Sequence, residues 1–184
     1  NSLTNNFEVT GDIGDYYDDD VYESERVYVG AGLSTVAGDI TITGQDITFA
    51  GNLILSDSIL LTANGDFLLS GMIIGTAGNI DINGNFTISD DGIFSAPGAG
   101  KSFTISGDWA DNSGAFDAGS GAVTFDDNSR ISRIFGSNTF YDFICTTAGK
   151  ELDFEAGSLQ TITGILTLTG TDGDLVILRS DTPG

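Results

Sequence analysis

The chain has no histidine, one cysteine, two prolines and only six lysines plus arginines among its 184 residues. Without histidine there is no Ser-His-Asp or Cys-His nucleophile and no imidazole metal ligand. A single cysteine excludes an internal disulfide and a thiolate zinc cluster. The six cations, Arg26, Lys101, Arg130, Arg133, Lys150 and Arg179, are scattered. They cannot form the basic footprint that neutralises phosphates, so no nucleic-acid partner is expected. No apolar run approaches the roughly 18 residues of a spanning helix, so membrane insertion is not expected either.

What the chain has instead is acid, glycine and alternating apolar residues. Asp plus Glu number 27, the formal charge is −21 and the isoelectric point is near 4.1. Of the acids, 22 are Asp and 5 are Glu. Asp avoids helix interiors because its short side chain competes for nearby backbone groups. With 26 glycines and abundant Thr, Ser, Ile, Leu and Phe, this is the chemistry of strands and turns. Disorder is the rival reading of so much charge. It fails because 40% of the residues are apolar and 10% aromatic, interleaved with the acids. The length suits one domain with a sizeable core. The start at Asn1, without methionine or a signal peptide, predicts a processed chain or a piece of a longer one.

From Gly38 the chain reads GDITIT, GQDITFA, GNLILS, DSILLTAN, GDFLLS, GMIIGTA, GNIDIN, GNFTISD, DGIFSAPGAG. Each unit has a Gly or Asp corner and then two apolar residues spaced by two. Ile40/Ile42, Leu53/Leu55, Phe67/Leu69, Ile80/Ile82, Phe103/Ile105, Val123/Phe125, Leu152/Phe154 and Leu175/Ile177 fit that frame. Alternation at period two puts the apolar pair on one side of a short strand. The unit is too short for a strand plus a hairpin loop, which argues against an antiparallel sandwich. Corners at Gly38, Asp57, Gly78, Gly98 and Gly121 mark a larger step of about twenty residues, or three units. A three-sided coil rising one strand spacing per turn, about 4.8 Å, explains both periods. The sequence thus predicts an all-β, three-sided parallel β-solenoid of about seven coils over residues 37–184.

Two stretches depart from the frame. Residues 126–136, DDNSRISRIFG, read as an insertion, either a loop or an extra short strand on one side. Residues 1–36, with DIGDYYDDDVYESER, read as an acidic, irregular cap or lead-in. At the other end DLVILRSDTPG is a strand still in frame, so the solenoid end is open. Its expected partners are neighbouring coils of a longer chain or another copy stacked head to tail.

The second half also carries a resemblance. SGAFDAGSGAVTFDD, then FGSNTFYDFICTTAGKELDFEAGSLQTITGILTLTG, then DLVILRSDTPG resemble the repeats of large bacterial surface and secreted proteins of the filamentous-haemagglutinin class. The shared pattern is F-x-A-G-x-G-x-V-x-F, T-F-Y-x-L-x-I and A-G-x-x-L-x-F-x-A-G-x-x-Q-x-I-x-G-x-L-x-L-x-G, here residues 116–125, 139–144 and 148–170. Phe143 stands where the pattern has Leu, and Cys145 where it has a small polar residue. The resemblance implies a right-handed β-helix acting as a stalk, matrix or adhesin outside a bacterial cell, with host or cell-surface glycans as possible ligands. It brings no catalytic residues.

Of the local clusters, the densest is Asp12, Asp15, Asp18, Asp19, Asp20 and Glu23, followed by Glu25. Hard oxygen ligands on a turn-rich segment suit Ca²⁺, which takes six to eight of them. The spacing is not that of an EF-hand loop, and the bland alternative is a solvated acidic loop. For catalysis, a glycoside hydrolase needs two carboxylates at a suitable separation, and Asp90, Asp91, Asp126 and Asp127 are the candidates. Such residues in a solenoid usually cap turns, and an acidic polymer is repelled by −21, so the reading favours a non-enzymatic module. A carbohydrate-active β-helix, a polysaccharide hydrolase or tail-spike-like depolymerase, is the alternative. The TITG runs at residues 41–44 and 161–164 read as outward strand filler rather than an ice-binding ladder. Cys145 reads as a buried small hydrophobe, Asn85 as a weak sequon, and Trp109 as a turn residue that packs on the next coil or contacts a ligand.

Overall fold

The structure is a computed structural model that describes residues 2–3, 7–10, 26–29, 35–36, 38–112 and 115–182. Among them every regular element is a strand, and the named strand pairs are all parallel. The strands stack as a β-solenoid of about 6 turns, about 21 residues apart, against the seven coils of about twenty expected. Three faces follow from the pairing. The first stacks Ile40–Phe49, Leu60–Leu69, Asn79–Ile82, Ser102–Ile105, Ala122–Phe125, Asp142–Cys145 and Leu166–Leu168. The second uses the C-terminal halves of the two ten-residue strands, then Phe86–Ile88, Trp109–Asp111, Ser132–Phe135, Glu151–Phe154 and Ile177–Ser180. The third stacks Asn52–Ile54, Met72–Ile74, Ile93–Ser95 and Phe116–Asp117, with Asn138–Phe140 and Gln160–Ile162 as a separate pair.

Parallel register turns each alternate residue into a column. Ile40, Leu61, Ile80, Phe103, Val123, Phe143 and Leu166 are successive partners on the first face. Ile47, Phe67, Phe86, Trp109, Ile134 and Phe154 are successive partners on the second. All but the last member of each column are buried, in one continuous core. Aromatic rings fill much of it. Phe49, Phe67, Phe86 and Trp109 follow one another at centroid distances of 6.0, 6.0 and 5.5 Å, within the range where ring pairs attract.

The apparent stretch after Val123 has a simple origin. Its partner in the next coil is Phe143, whereas Leu152 partners Ser132 on another face. Residues 126–131 form a long corner, and Ser132–Phe135 is a regular rung of the second face. The last coil departs from expectation by one residue. Ile177 is the register partner of Glu151, and Leu178 that of the core residue Leu152. Val176 packs on the core, while Leu175 and Ile177 are exposed. Period-two alternation alone could not distinguish the two frames of LVILRS, since a slip by one exchanges the faces.

The parallel ladder also reaches upstream of the expected start at residue 37. Phe7–Thr10 pairs with residues 40–43, and Arg26–Val29 with residues 46–49. Ser2–Leu3 pairs with Thr35–Val36. These strands carry rungs of the same parallel kind into the stretch read as an irregular cap.

Candidate functional site

Among the described residues, the corner between the first and second faces holds a continuous ladder of organised polar side chains. In the early coils it is tight. A Cβ placed on Gly65 would lie 1.7 Å from the Gly44 carbonyl oxygen, and one on Gly84 would lie 2.3 Å from that of Gly65. Only glycine permits such an approach of backbone to backbone. Beside this stack runs a ladder of short side chains. Asn85 donates from its backbone N–H and its Nδ2 to the two carboxylate oxygens of Asp66, at 2.8 and 2.9 Å. The Asp108 N–H donates to Asn85 Oδ1 at 2.7 Å, and the Arg133 N–H to Asp108 Oδ1 at 2.8 Å. A parallel chain on the neighbouring column links Thr43, Asn64 and Asn83.

The glycine stack ends at Gly107, where the corner lengthens to residues 126–131. Longer corners leave carbonyls turned inward, and two side chains satisfy them. The Ser132 hydroxyl donates to the Gly107 carbonyl. Lys150 is 0% exposed and donates from Nζ to the carbonyls of Ser106 at 3.2 Å, Asp127 at 2.5 Å and Arg130 at 3.0 Å. Three successive coils are joined by one ammonium. Burial pushes its pKa below the usual lysine value, with Asp127 pulling the other way. The Asp127 carboxylate in turn accepts from the Ser129 hydroxyl and N–H, which holds its pKa down. Burial raises the Cys145 thiol, which lies in the core as expected.

Two depressions mark the surface. A groove of about 350 Å³ lies against the second face and is bordered by Asp46, Thr48, Asp66, Leu68, Asn85 and Thr87. Leu68 forms its exposed apolar floor. The other is an apolar cavity of about 80 Å³ at the C-terminal end of the coil, lined by Phe143, Phe154, Ile162, Leu166, Leu168 and Leu178 with Gln160.

The hydrolase candidates are not brought together. Asp90 and Asp91 are exposed on the turn from the second to the third face. Asp126 and Asp127 sit on the long corner two coils on, where Asp126 accepts from the Ser106 hydroxyl at 3.1 Å. Trp109 is fully buried, and its Nε1–H donates to Asn138 Oδ1 at 2.8 Å, so it packs between coils rather than facing a ligand. Asn85 Nδ2 is held by Asp66 in the corner ladder. The two TITG runs fall on different faces, Thr41 and Thr43 on the first and Thr161 on the third. Register nevertheless places Thr41, Thr62, Thr104, Thr124 and Thr167 in one outward column, broken by Asp81 and Ile144. The proposed calcium ligands Asp12, Asp15, Asp18, Asp19, Asp20 and Glu23 lie outside the described residues. Among the described residues no group of three or more such ligands gathers around a common point, and no helix is long and apolar enough to cross a membrane. The burial of Lys150 and the Trp109–Asn138 pair carry no signal in a single sequence, since nothing local distinguishes them from surface residues.

No family model matches the chain, and no curated protein or solved structure is significantly similar to it.

Proposed function

We propose that the chain is a non-enzymatic structural or adhesive β-solenoid module that works outside a bacterial cell. The observation that carries this reading is how the polar side chains are used. Asp66, Asn85, Asp108, Asp142, Asn138 and Lys150 each make hydrogen bonds to a neighbouring rung, Lys150 to the rungs before it and the others to the rung after. Corners so engaged resist unwinding and leave outward walls of strand, which suits a stalk or matrix element. The resemblance of the stretch from about residue 98 to residue 184 to filamentous-haemagglutinin-class repeats supports the same setting, and the acidic segment 12–23 supports a Ca²⁺ dependence common in extracellular modules.

The second-face groove favours the alternative, a carbohydrate-active surface, because acidic and amide side chains flank an apolar floor. Both Asp66 oxygens, however, are committed to Asn85, which suits retention of a glycan better than proton transfer to it. The test has two arms. Antibody raised against the chain is expected to label intact, unpermeabilised source cells, and labelling only after permeabilisation overturns the extracellular assignment. On a panel of neutral, acidic and amino polysaccharides, no new reducing ends or unsaturated products are expected, and turnover of any one overturns the non-enzymatic assignment.

A further inference from the structure

The outward side of the first face is unlike that of the other two. Its central column holds Thr41, Thr62, Thr104, Thr124 and Thr167, interrupted at Asp81 and Ile144. Two residues further along the chain from each member stand Thr43, Asn64, Asn83, Asp126, Thr146 and Thr169, with Ser106 turned into the corner. Eight of these fourteen positions are threonine, and none is Lys, Arg, Glu or aromatic. The second face instead exposes Leu68, Arg133 and Phe135, and the third exposes Ile54 and Ile93. The interruption by GNLILS seen in sequence is no interruption in space, because Asn52–Ile54 stacks on the third face.

We propose that this face binds ice. A rigid, regular array meets water there with hydroxyls and methyl groups together. Successive rungs lie about 4.8 Å apart, close to the short lattice repeat of hexagonal ice. Threonine is stiff at χ1, so its hydroxyl and methyl are held in place with little rotamer freedom left to lose on binding. Hydrogen bonds along the columns add to that order. Asn64 Nδ2 donates to Thr43 Oγ1 at 3.2 Å, Asn83 Nδ2 to Asn64 Oδ1 at 2.9 Å, and Thr104 Oγ1 to Asp81 Oδ1 at 2.6 Å. The hydroxyls of Thr62, Thr124, Thr146 and Thr169 have no protein partner among the described residues, so water completes them. Water fixed at the rung spacing and caged around aligned methyl groups is arranged as the first layer of a crystal. A glycan is the poorer occupant. The two depressions of the surface lie elsewhere, and this face offers no aromatic ring on which a sugar could stack. Asp81 and Asp126 are the flaws in the array, since a carboxylate holds its own water too strongly to release it into a lattice.

This activity stands apart from the extracellular and non-enzymatic readings, which concern setting and turnover and fail on different measurements. The experiment is partition into ice. A dilute, stirred solution is frozen slowly from one wall, and the protein is measured in the ice and in the liquid, with crystal shape followed under a microscope. Wild type is expected to enter the ice at least tenfold more than an inert protein of similar size, and to facet growing crystals. T62K/T124K is expected to lower partition at least tenfold, with an unchanged far-ultraviolet spectrum and buried Trp109 emission to certify the fold. T87K, the same change on the second face, is expected to leave it within twofold. D81T, which completes the column, is expected to raise it at least twofold. A wild type excluded from ice like the inert protein, partition indifferent to T62K/T124K, an equal loss with T87K, or no gain from D81T each overturns the proposal. Binding of wild type to crystalline cellulose or chitin in place of ice also overturns it, and assigns the face to a glycan.

Discussion

Lys150 shows how much one residue can hold in a solenoid. A buried ammonium is costly unless its hydrogen bonds are met, and here three carbonyls from two earlier coils meet them. K150M keeps the bulk and removes the donors, leaving inward carbonyls unsatisfied at about 1–3 kcal/mol for each buried group. The expected loss is about 2 kcal/mol or more, read from the denaturant midpoint. Its pH dependence has a definite sign. Burial places the folded pKa below the ordinary 10.5, so above the folded value the unfolded chain binds more protons than the folded one. The lysine's contribution therefore grows as pH rises through the folded pKa, up to 10.5. The midpoint difference between wild type and K150M should widen across that interval, and a difference that narrows overturns the assignment. At the same scale, Asn138 lies buried between Trp109 and Gln160. Neither residue could be placed from its neighbours in sequence: Trp109 in SGDWADNSG looks like a turn residue, and its burial depends on the coil above.

Strands and corners behave differently from one another. The inward pairs from Ile40/Ile42 to Val123/Phe125 were legible because a two-residue period has one solution when a Gly or Asp corner sets its phase. LVILRS has four apolar residues in a row, so its phase was set by pairing with Glu151–Phe154 and not by pattern. Corners were legible as glycines but not as stacks. Gly65 combines a φ of 153° with a backbone approach that leaves no room for a methyl group. G65A is expected to cost about 2 kcal/mol or more, of the order of other strained backbone positions. G157A has nothing within 4 Å of the added carbon and bears only the strain of its positive φ, 82°. Thermal melts of the two should therefore separate clearly, with G65A the lower, and equal melts would sink the stacked-corner account.

For the molecule as a whole, a net charge of −21 opposes compaction by self-repulsion. Raising ionic strength with NaCl is expected to raise the melting temperature. Ca²⁺ at matched ionic strength should raise it further through the carboxylates of residues 12–23, and curves that coincide with Ca²⁺ and with EGTA would retire the metal assignment. By itself the sequence determined the class of fold, the coil length and most of the core, because period-two burial and corner chemistry are local rules repeated along the chain. It also determined what chemistry is absent, since a residue type that is missing cannot be supplied by folding. The tertiary structure decided everything that joins one coil to the next. That includes which face a strand belongs to, the burial of Lys150 and Trp109, and the alignment of threonines from separate repeats. Those contacts link residues 19 or more positions apart, and no pattern along one chain specifies which of several nearly equivalent rungs will meet.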